Sequence, residues 1–344
     1  MSDLLQIDGS TGQGGGQVLR TSLSLSALTG RPFRLENIRA GRSQPGLRPQ
    51  HLLAVRATAA LCSAELVGDA LNSTTLEFRP RHPARAGRYQ FDVNEHTPHS
   101  SAGAVTLVWQ TLIWPLLFAD APSQLVLRGG THVPFSPSFD YVNNVTVPTY
   151  RQLGLLLEVS LNEWGWMARG GGEMTADITP IRHILPADWT TPPAPASLQG
   201  EAVATNLPVH IPQRMANRAA NLLREAGIPT PVRPVRARST AEGATILLWT
   251  DHAGFGSLGE KGLPAQTVAE RAVDEAVAFF RSGAAVDAHL ADQLLIPLSL
   301  ATGTSRFTTP EITLHTRTNA ELLRLWLRVE IRFEGQVVMV EGRK

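Results

Sequence analysis

Leu23-Ser-Leu-Ser-Ala-Leu-Thr-Gly30 and Leu298-Ser-Leu-Ala-Thr-Gly303 are near copies of each other, although they lie at opposite ends of a 344-residue chain. Each belongs to an apolar segment of helical length that leads through a turn into a short strand. Stretches with this order occupy 14–38, 100–130 and 284–315. Repetition on this scale indicates one supersecondary unit used three times.

A second helical pattern and then alternating strands follow each of these stretches. Apolar residues recur at helical spacing in 49–64, 138–156 and 319–327. Alternating segments predict strands at 76–79 paired with 89–93, at 157–162 and within 329–341. The sequence therefore predicts an α+β fold of three helix-sheet units, in which helices pack on mixed four-stranded sheets.

The repeat is interrupted by a segment that begins with the proline-rich stretch Leu185-Pro-Ala-Asp-Trp-Thr-Thr-Pro-Pro-Ala-Pro195. The pattern that follows reads strand, helix, strand, strand, helix. We interpret 183–283 as an inserted small α/β domain, and 1–182 with 284–344 as the body of three units.

Composition indicates an ordinary soluble protein without a membrane span. Hydrophobic residues make up 43% of the chain and charged residues 18%, and no apolar run reaches the roughly 20 residues that a spanning helix needs. The first residues lack the basic start and apolar core of a secretory signal. Cys62 is the only cysteine, so it is expected to be a buried small hydrophobe in a cytoplasmic protein.

Basic charge is concentrated rather than general. The net charge is only +1, but six arginines stand between 31 and 56 against the single acid Glu36. Lys261 and Lys344 are the only lysines, and neither lies in a Lys-x-Asp-Gly context. A genome that favours arginine codons would explain the scarcity. Even so, covalent nucleotide chemistry in this chain would need a nucleophile other than lysine.

The glycine-rich run Asp8-Gly-Ser-Thr-Gly-Gln-Gly-Gly-Gly-Gln17 stands between a predicted strand and a predicted helix. Backbone amides at such a junction point outward and suit an anion, but a tight structural turn is an equal alternative. The spacing matches neither the dinucleotide fingerprint nor a P-loop. Further glycine runs at 129–134 and 170–172 make one shared cleft more plausible than three unrelated turns.

The loop 38–51 carries three arginines and no acid and ends in Gln50 and His51. Arginine forks match phosphate oxygens, although a solvated basic loop would have the same composition. Ten histidines are scattered along the chain, and composition alone does not single out His315. His96 and His99 lack a third ligand at a convincing spacing for zinc.

Taken together, these motifs resemble the RNA 3'-terminal phosphate cyclase family over essentially the whole chain. The likeness rests on Asp8-Gly to Gln17 with Arg20, Arg39-Ala-Gly-Arg42, Pro45-Gly, Gln50-His51, Thr106-Leu-Val-Trp-Gln-Thr111, Gly129-Gly-Thr131 with Pro134, Gly259-Glu-Lys261, Leu290-Ala-Asp-Gln-Leu294 with Pro297, and His315 with Thr318-Asn319. The resemblance implies three repeated units plus an inserted domain, the organisation predicted above.

It also implies the reaction. ATP and a divalent metal, Mg²⁺ or Mn²⁺, serve to convert the 3'-phosphate end of an RNA into a 2',3'-cyclic phosphate. His315 matches the nucleophile that accepts AMP from ATP, and AMP then passes to the RNA end before the ring closes. Asp292 would orient or activate His315. ATP and the RNA end are the implied partners, without a membrane or an obligate protein partner.

The remaining site residues are carried over from the same resemblance. Arg20, Arg42, Gln50, Gln110 and Gln293 would bind ATP or its phosphates. Adenine would lie between Pro134 and His289, the latter replacing a common aromatic residue. The RNA end would be held by Arg39, Arg42 and His51. Gln13 stands where many members have a glutamate that binds the metal.

Two alternatives are kept. A non-catalytic relative could retain the fold as an RNA-processing scaffold, but it would lack the nucleophilic histidine. An enolpyruvyl transferase of similar repeat architecture is disfavoured, because the nearly lysine-free chain lacks the lysines that such sites resemble.

Overall fold

The computed structural model describes residues 4–12, 15–95, 101–167 and 169–342. The first unit contains β1 (Leu5–Asp8), α1 (Gln17–Thr29), β2 (Phe33–Glu36), α2 (Pro49–Cys62), β3 (Glu65–Val67) and β4 (Leu76–Arg79). The second contains β5 (Arg88–Asp92), α3 (Val105–Leu117), β6 (Ser123–Gly129), α4 (Phe139–Tyr141), a π-helical turn (Val142–Thr146), α5 (Val147–Gln152), β7 (Leu156–Glu163) and β8 (Gly172–Thr179).

The third unit is split by the inserted elements. It begins with β9 (Asp188–Trp189) and resumes with α8 (Ala288–Leu300), β14 (Thr304–Thr308), α9 (Leu314–Trp326), β15 (Glu330–Glu334) and β16 (Val337–Glu341). Between them lie β10 (Gln199–Thr205), α6 (His210–Glu225), β11 (Val232–Ala237), β12 (Gly243–Thr250), β13 (Ala253–Leu258) and α7 (Ala265–Ser282).

The three sheets of the units share one topology. Their strand orders are β1-β2-β4-β3, β5-β6-β8-β7 and β9-β14-β16-β15. In each, the first two strands are parallel and the other pairings are antiparallel. The predicted α+β fold with repeated mixed four-stranded sheets is confirmed.

The predicted pairing of 76–79 with 89–93 is wrong. β4 pairs with β2 and β3, whereas β5 is the first strand of the second sheet and runs parallel to β6. The connector between them is held on the end of α2, where the Arg81 amide donates to the Cys62 carbonyl and the Arg85 amide to the Leu61 carbonyl. The connector therefore leads the chain away from the first sheet. In all three units the first element is a strand rather than the predicted helix.

The inserted elements form a fourth sheet, ordered β11-β10-β12-β13, with a hydrophobic cluster of its own under α6 and α7. Strand β13 was not predicted, because Gly254 and Gly256 weaken its sequence signal. β9 falls inside the predicted range 183–283, but it pairs with β14 of the third unit. The division into a body and an inserted domain remains a prediction.

Helices of different units pack on one another above these sheets. α1 packs against α2, α3 and α9, and α8 packs against α9. The approach of α1 to α3 is close because Ser24, fully buried, donates its hydroxyl hydrogen to the Thr111 carbonyl oxygen over 2.8 Å. This packing brings the first turns of several helices together. None of the helices in the described ranges is long and apolar enough to cross a membrane.

Cys62 is fully buried at the end of α2, as predicted, and burial raises the pKa of its thiol to about 12. A thiol that stays protonated and covered does not react with disulfide reagents. We expect no colour from the folded protein with an aromatic disulfide reagent at pH 8, and one equivalent after denaturation. Rapid labelling of the native protein would contradict this burial.

Candidate active site

His315 lies in the first turn of α9, which begins at Leu314 rather than at the predicted residue 319. Thr313 caps this helix, because its hydroxyl oxygen accepts a hydrogen bond from the Thr316 amide. The His315 side chain is 37% exposed. Partial burial, followed by the positive charges of Arg20 and Arg42, lowers the pKa of His315 below its ordinary value. The imidazole is therefore neutral at neutral pH.

One amide group joins His315 to Asp292. The Gln17 amide nitrogen donates to Oδ2 of Asp292 over 3.1 Å, and its Oε1 lies 2.7 Å from Nδ1 of His315. The direct separation of Nδ1 from Oδ2 is 4.0 Å. An amide oxygen can only accept, so Nδ1 carries the proton and Nε2 keeps its lone pair. Hydrogen bonds through Gln17 thus connect Asp292 to His315.

Asp292 is held at the meeting point of three helices. Its backbone carbonyl accepts from the Asn319 side-chain amide over 3.0 Å, and Asn319 in turn accepts from the Thr21 hydroxyl. Burial raises the pKa of Asp292 to about 7, although the positive charges near it, including Arg20, act in the opposite direction. The carboxyl group therefore changes charge close to neutral pH.

The end of the glycine run lies against three basic side chains. A methyl group built on Gly16 would lie 2.4 Å from Nε2 of His51 and 2.9 Å from Nη1 of Arg20. One built on Gly15 would lie 3.2 Å from Nη2 of Arg42. A side chain at Gly16 would collide with the buried His51 ring, so glycine at this position does more than make a tight turn. We call these five residues the basic cradle.

Within the basic cradle, the ring N–H of His51 has a defined direction, and both His51 and Arg20 are shielded from solvent. His51 is buried, and its Nδ1 accepts from the Arg48 amide, so the proton sits on Nε2 beside Gly16. Burial, and next the charge of Arg20, lowers the pKa of His51. Burial also lowers the pKa of Arg20, to about 10. The cradle offers N–H donors and positive charge to an anion.

Two other residues of the first unit have structural partners. Nη1 of Arg39 donates to the carbonyl oxygens of Gln44 and Gly46 over 2.7 and 3.0 Å and so shapes the 38–46 loop. Gln50 accepts from the Ala104 amide over 2.7 Å, which ties α2 to the start of α3. Their predicted binding roles remain predictions.

The glutamines from α3 and α8 meet. Gln110 donates to Oε1 of Gln293 over 2.8 Å, and the Thr146 hydroxyl donates to the same oxygen over 3.2 Å. His289, predicted to stack on adenine, is exposed in the first turn of α8, and its charge lowers the pKa of Asp292. Pro134, the predicted opposite wall, is exposed in the loop after β6.

The metal prediction has no test in the described part of the chain. Gln13, and likewise His96 and His99, lie outside the described residues. Within 4–12, 15–95, 101–167 and 169–342 there is no group of three or more His, Cys, Asp or Glu side chains that could hold a metal ion.

The residue that sequence reasoning left without a role is Gln17. Its signal is present in the sequence, since it is a polar residue in the first turn of a helix whose other positions are mostly buried, where an unpaired polar group would be costly. The chain order does not reveal its two partners, because they come from α8 and α9, more than 270 residues away along the chain.

The family model and the similar proteins carry the same description. A family model described as RNA 3'-terminal phosphate cyclase matches residues 11–333. Similar proteins named RNA 3'-terminal phosphate cyclase occur in Trichormus variabilis, with 48% identity covering 93% of both chains, and in Methylococcus capsulatus, with 48% identity covering 96% of this chain and 93% of the relative. The protein of that name from Methanosarcina barkeri is 39% identical, covering 98% of this chain and 99% of its own.

A crystal structure of the enolpyruvyl transferase NikO from Streptomyces tendae aligns over 99% of this chain and 82% of its own. The sequence identity is 11% and the TM-score is 0.29. A likeness of this size carries no argument about fold or function.

The Gln17 contact predicts the tautomer of His315. We expect ¹⁵N shifts of neutral His315 to report a protonated Nδ1 and an unprotonated Nε2, because Gln17 offers Nδ1 only an acceptor. Gln17→Leu should remove this preference and give a mixed tautomer population. The ring of His183, which is exposed, serves as the control and should not change. An Nε2–H tautomer in the unaltered protein would contradict the hydrogen bond from Nδ1 of His315 to the Gln17 oxygen.

Proposed function

We propose that this chain, which belongs to the RNA 3'-terminal phosphate cyclase family, closes a 2',3'-cyclic phosphate at RNA ends through AMP carried on His315. The chain is an enzyme of this class, with ATP and RNA as its substrates. The covalent histidyl-AMP step, the residues that perform it and the metal are the proposal.

The observation that carries the proposal is the Asp292–Gln17–His315 relay. With Nδ1 protonated and hydrogen-bonded, Nε2 can attack the α-phosphorus of ATP, and the bond to the β-phosphate oxygen breaks as pyrophosphate leaves. The ring becomes positively charged when its Nε2–P bond forms, and the Gln17 oxygen and the Asp292 carboxylate stabilise that charge. The relay therefore favours both the attack and its product.

The two later steps regenerate the imidazole. An oxygen of the RNA 3'-phosphate attacks the AMP phosphorus and breaks its bond to Nε2, which leaves His315 neutral with its proton still on Nδ1. The neighbouring 2'-hydroxyl then loses its proton to solvent and attacks the 3'-phosphorus, and AMP leaves as the bond from that phosphorus to the bridging oxygen breaks. Both steps transfer a phosphoryl centre whose negative charge needs positioned donors.

The basic cradle supports binding of these phosphates. Arg20 and Arg42 offer guanidinium forks, His51 offers Nε2–H, and the backbone of Gly15 and Gly16 permits close approach. Removing one preorganised donor of this kind typically costs about 2.7–4 kcal/mol of transition-state stabilisation. Arg39, Arg42 and His51 are proposed for the RNA end. Gln50, Gln110, Gln293, Pro134 and His289 are proposed for ATP.

A divalent ion, Mg²⁺ or Mn²⁺, remains part of the proposal, with Gln13 as the ligand position that the family resemblance implies. When bound, such an ion neutralises charge on the phosphates of ATP. The lone Cys62, which has no partner for a disulfide, supports the cytoplasm as the compartment.

The first prediction concerns the covalent intermediate. With Mg²⁺ or Mn²⁺ and α-labelled ATP, the protein should acquire an acid-labile, alkali-stable label, which 3'-phosphorylated RNA discharges with formation of cyclic ends. His315→Ala should remove the label, whereas His183→Ala, at an exposed histidine outside the site, should keep it. An unlabelled wild type, or equal label on His315→Ala, would overturn the mechanism.

The second prediction concerns pH. The labelling rate should fall below about pH 7, because Asp292, whose pKa burial raises to about 7, takes up a proton and loses the charge that stabilises the relay. His315 does not cause this limb, because its own pKa is lowered. Asp292→Asn keeps an acceptor oxygen for Gln17 but cannot titrate. It should be about tenfold slower, because a hydrogen bond to a charged acceptor contributes about 1 to 1.5 kcal/mol more than one to a neutral acceptor. Its profile should be flat from pH 6.5 to 8. A wild-type limb that persists in Asp292→Asn would contradict this assignment.

A further inference from the structure

The turn between β12 and β13 of the inserted sheet touches the body next to the active site. The Asp251 carbonyl oxygen accepts from the Thr149 hydroxyl over 3.0 Å. Three residues on, near the start of β13, the Gly254 amide donates to Oδ2 of Asp287 over 3.0 Å. The turn thus meets both the second unit and the residue that precedes α8.

Asp287 is a buried carboxylate that joins three parts of the fold. Its Oδ1 accepts from the amides of His289 and Leu290 and so caps the N-terminus of α8. Its Oδ2 accepts from the Tyr141 hydroxyl over 2.7 Å as well as from Gly254. Four donors satisfy the acceptor capacity of one carboxylate. The start of α8 is therefore held by α4 and by β13 together.

Gly254 also packs against the second unit. A methyl group built on it would lie 2.7 Å from Cδ2 and Cε2 of Tyr141 and 2.8 Å from Cγ2 of Val145. Val145 belongs to the π-helical turn. Such turns are rare in proteins, and those that occur are often found at functional sites. The absence of a side chain at Gly254 allows the inserted strand to lie directly on this turn.

The π-helical turn also contacts a residue of the proposed nucleotide site. Thr146 donates to Oε1 of Gln293, the atom that also accepts from Gln110. One helical turn later, the Tyr150 hydroxyl donates to the backbone carbonyl of Gln293 over 3.1 Å. Contacts from the π-helical turn and α5 thus fix both the side chain and the backbone of Gln293.

From these contacts we infer that the inserted β12–β13 hairpin positions the nucleotide site: Gly254 of this hairpin and Tyr141 of α4 hold the start of α8, so that Gln293 is set for ATP. The inference rests on the proposed function, because it takes Gln293 to bind ATP. Neither Gly254 nor Tyr141 is a catalytic residue. Both act through α8.

The test uses two pairs of matched variants of the full chain. Gly254→Ala places a methyl against Tyr141, whereas Gly256→Ala in the same strand meets only ordinary contacts, at 3.5 Å or more. Tyr141→Phe removes the hydroxyl from Asp287, whereas Tyr89→Phe removes a hydroxyl that donates to the Arg85 carbonyl in the first half of the chain. Two quantities are measured: the ATP dependence of His315 labelling, and binding of α,β-methylene-ATP by calorimetry.

We expect Gly254→Ala and Tyr141→Phe to raise the half-saturating ATP concentration at least fivefold, with the maximal labelling rate within twofold of wild type. The analogue Kd should rise by the same factor, and Gly256→Ala and Tyr89→Phe should stay within twofold in both measurements. A purely structural role would instead lower the maximal rate with the folded fraction seen by circular dichroism. That result, or an unchanged half-saturating ATP concentration, overturns the inference. If Gly254→Ala does not fold, the result for Tyr141→Phe decides.

The two proposals fail in different ways. If the wild type binds the analogue but takes no label, the histidyl-AMP step is wrong, and the analogue Kd of the four variants still decides the positioning role. If label forms normally but the four variants bind the analogue alike, the positioning role is wrong and the histidyl-AMP step stands.

Discussion

An amide group has two unlike ends, and Gln17 uses both of them. Its nitrogen donates to Asp292 and its oxygen lies against Nδ1 of His315. Reversing the amide would place its acceptor oxygen against the Asp292 carboxylate, so Asp292 determines the orientation of the amide. The tautomer of the proposed nucleophile follows from that orientation.

This relay depends on how three units of the same topology pack. Its members come from α1, α8 and α9, and α9 packs on both of the other helices. The Thr21–Asn319–Asp292 hydrogen bonds continue the contact between them. Polar residues that would destabilise an isolated apolar helix are satisfied only because each finds its partner on another unit.

The basic cradle depends on the space that two glycines leave for its basic side chains. Gly15 and Gly16 leave room for Arg42, His51 and Arg20, and a side chain at Gly16 would displace His51. Burial then lowers the pKa values of His51 and Arg20, which leaves His51 neutral with a directed N–H. Positive charge and donors are thus concentrated beside the relay, although the whole chain carries a net charge of only +1.

The sequence by itself determined the repeated α+β units, the burial of Cys62 and the family, because periodicity and motifs are local and survive without knowledge of contacts. It also pointed to His315, Asp292, Arg20, Arg42 and His51 through the motif resemblance. Only the tertiary structure decided that 89–93 begins the second sheet, that Gln17 stands between Asp292 and His315, and that Gly254 lies on Tyr141. Each of these depends on which distant elements meet, since the partner of a strand or of a buried amide is chosen by packing and not by neighbours in the chain.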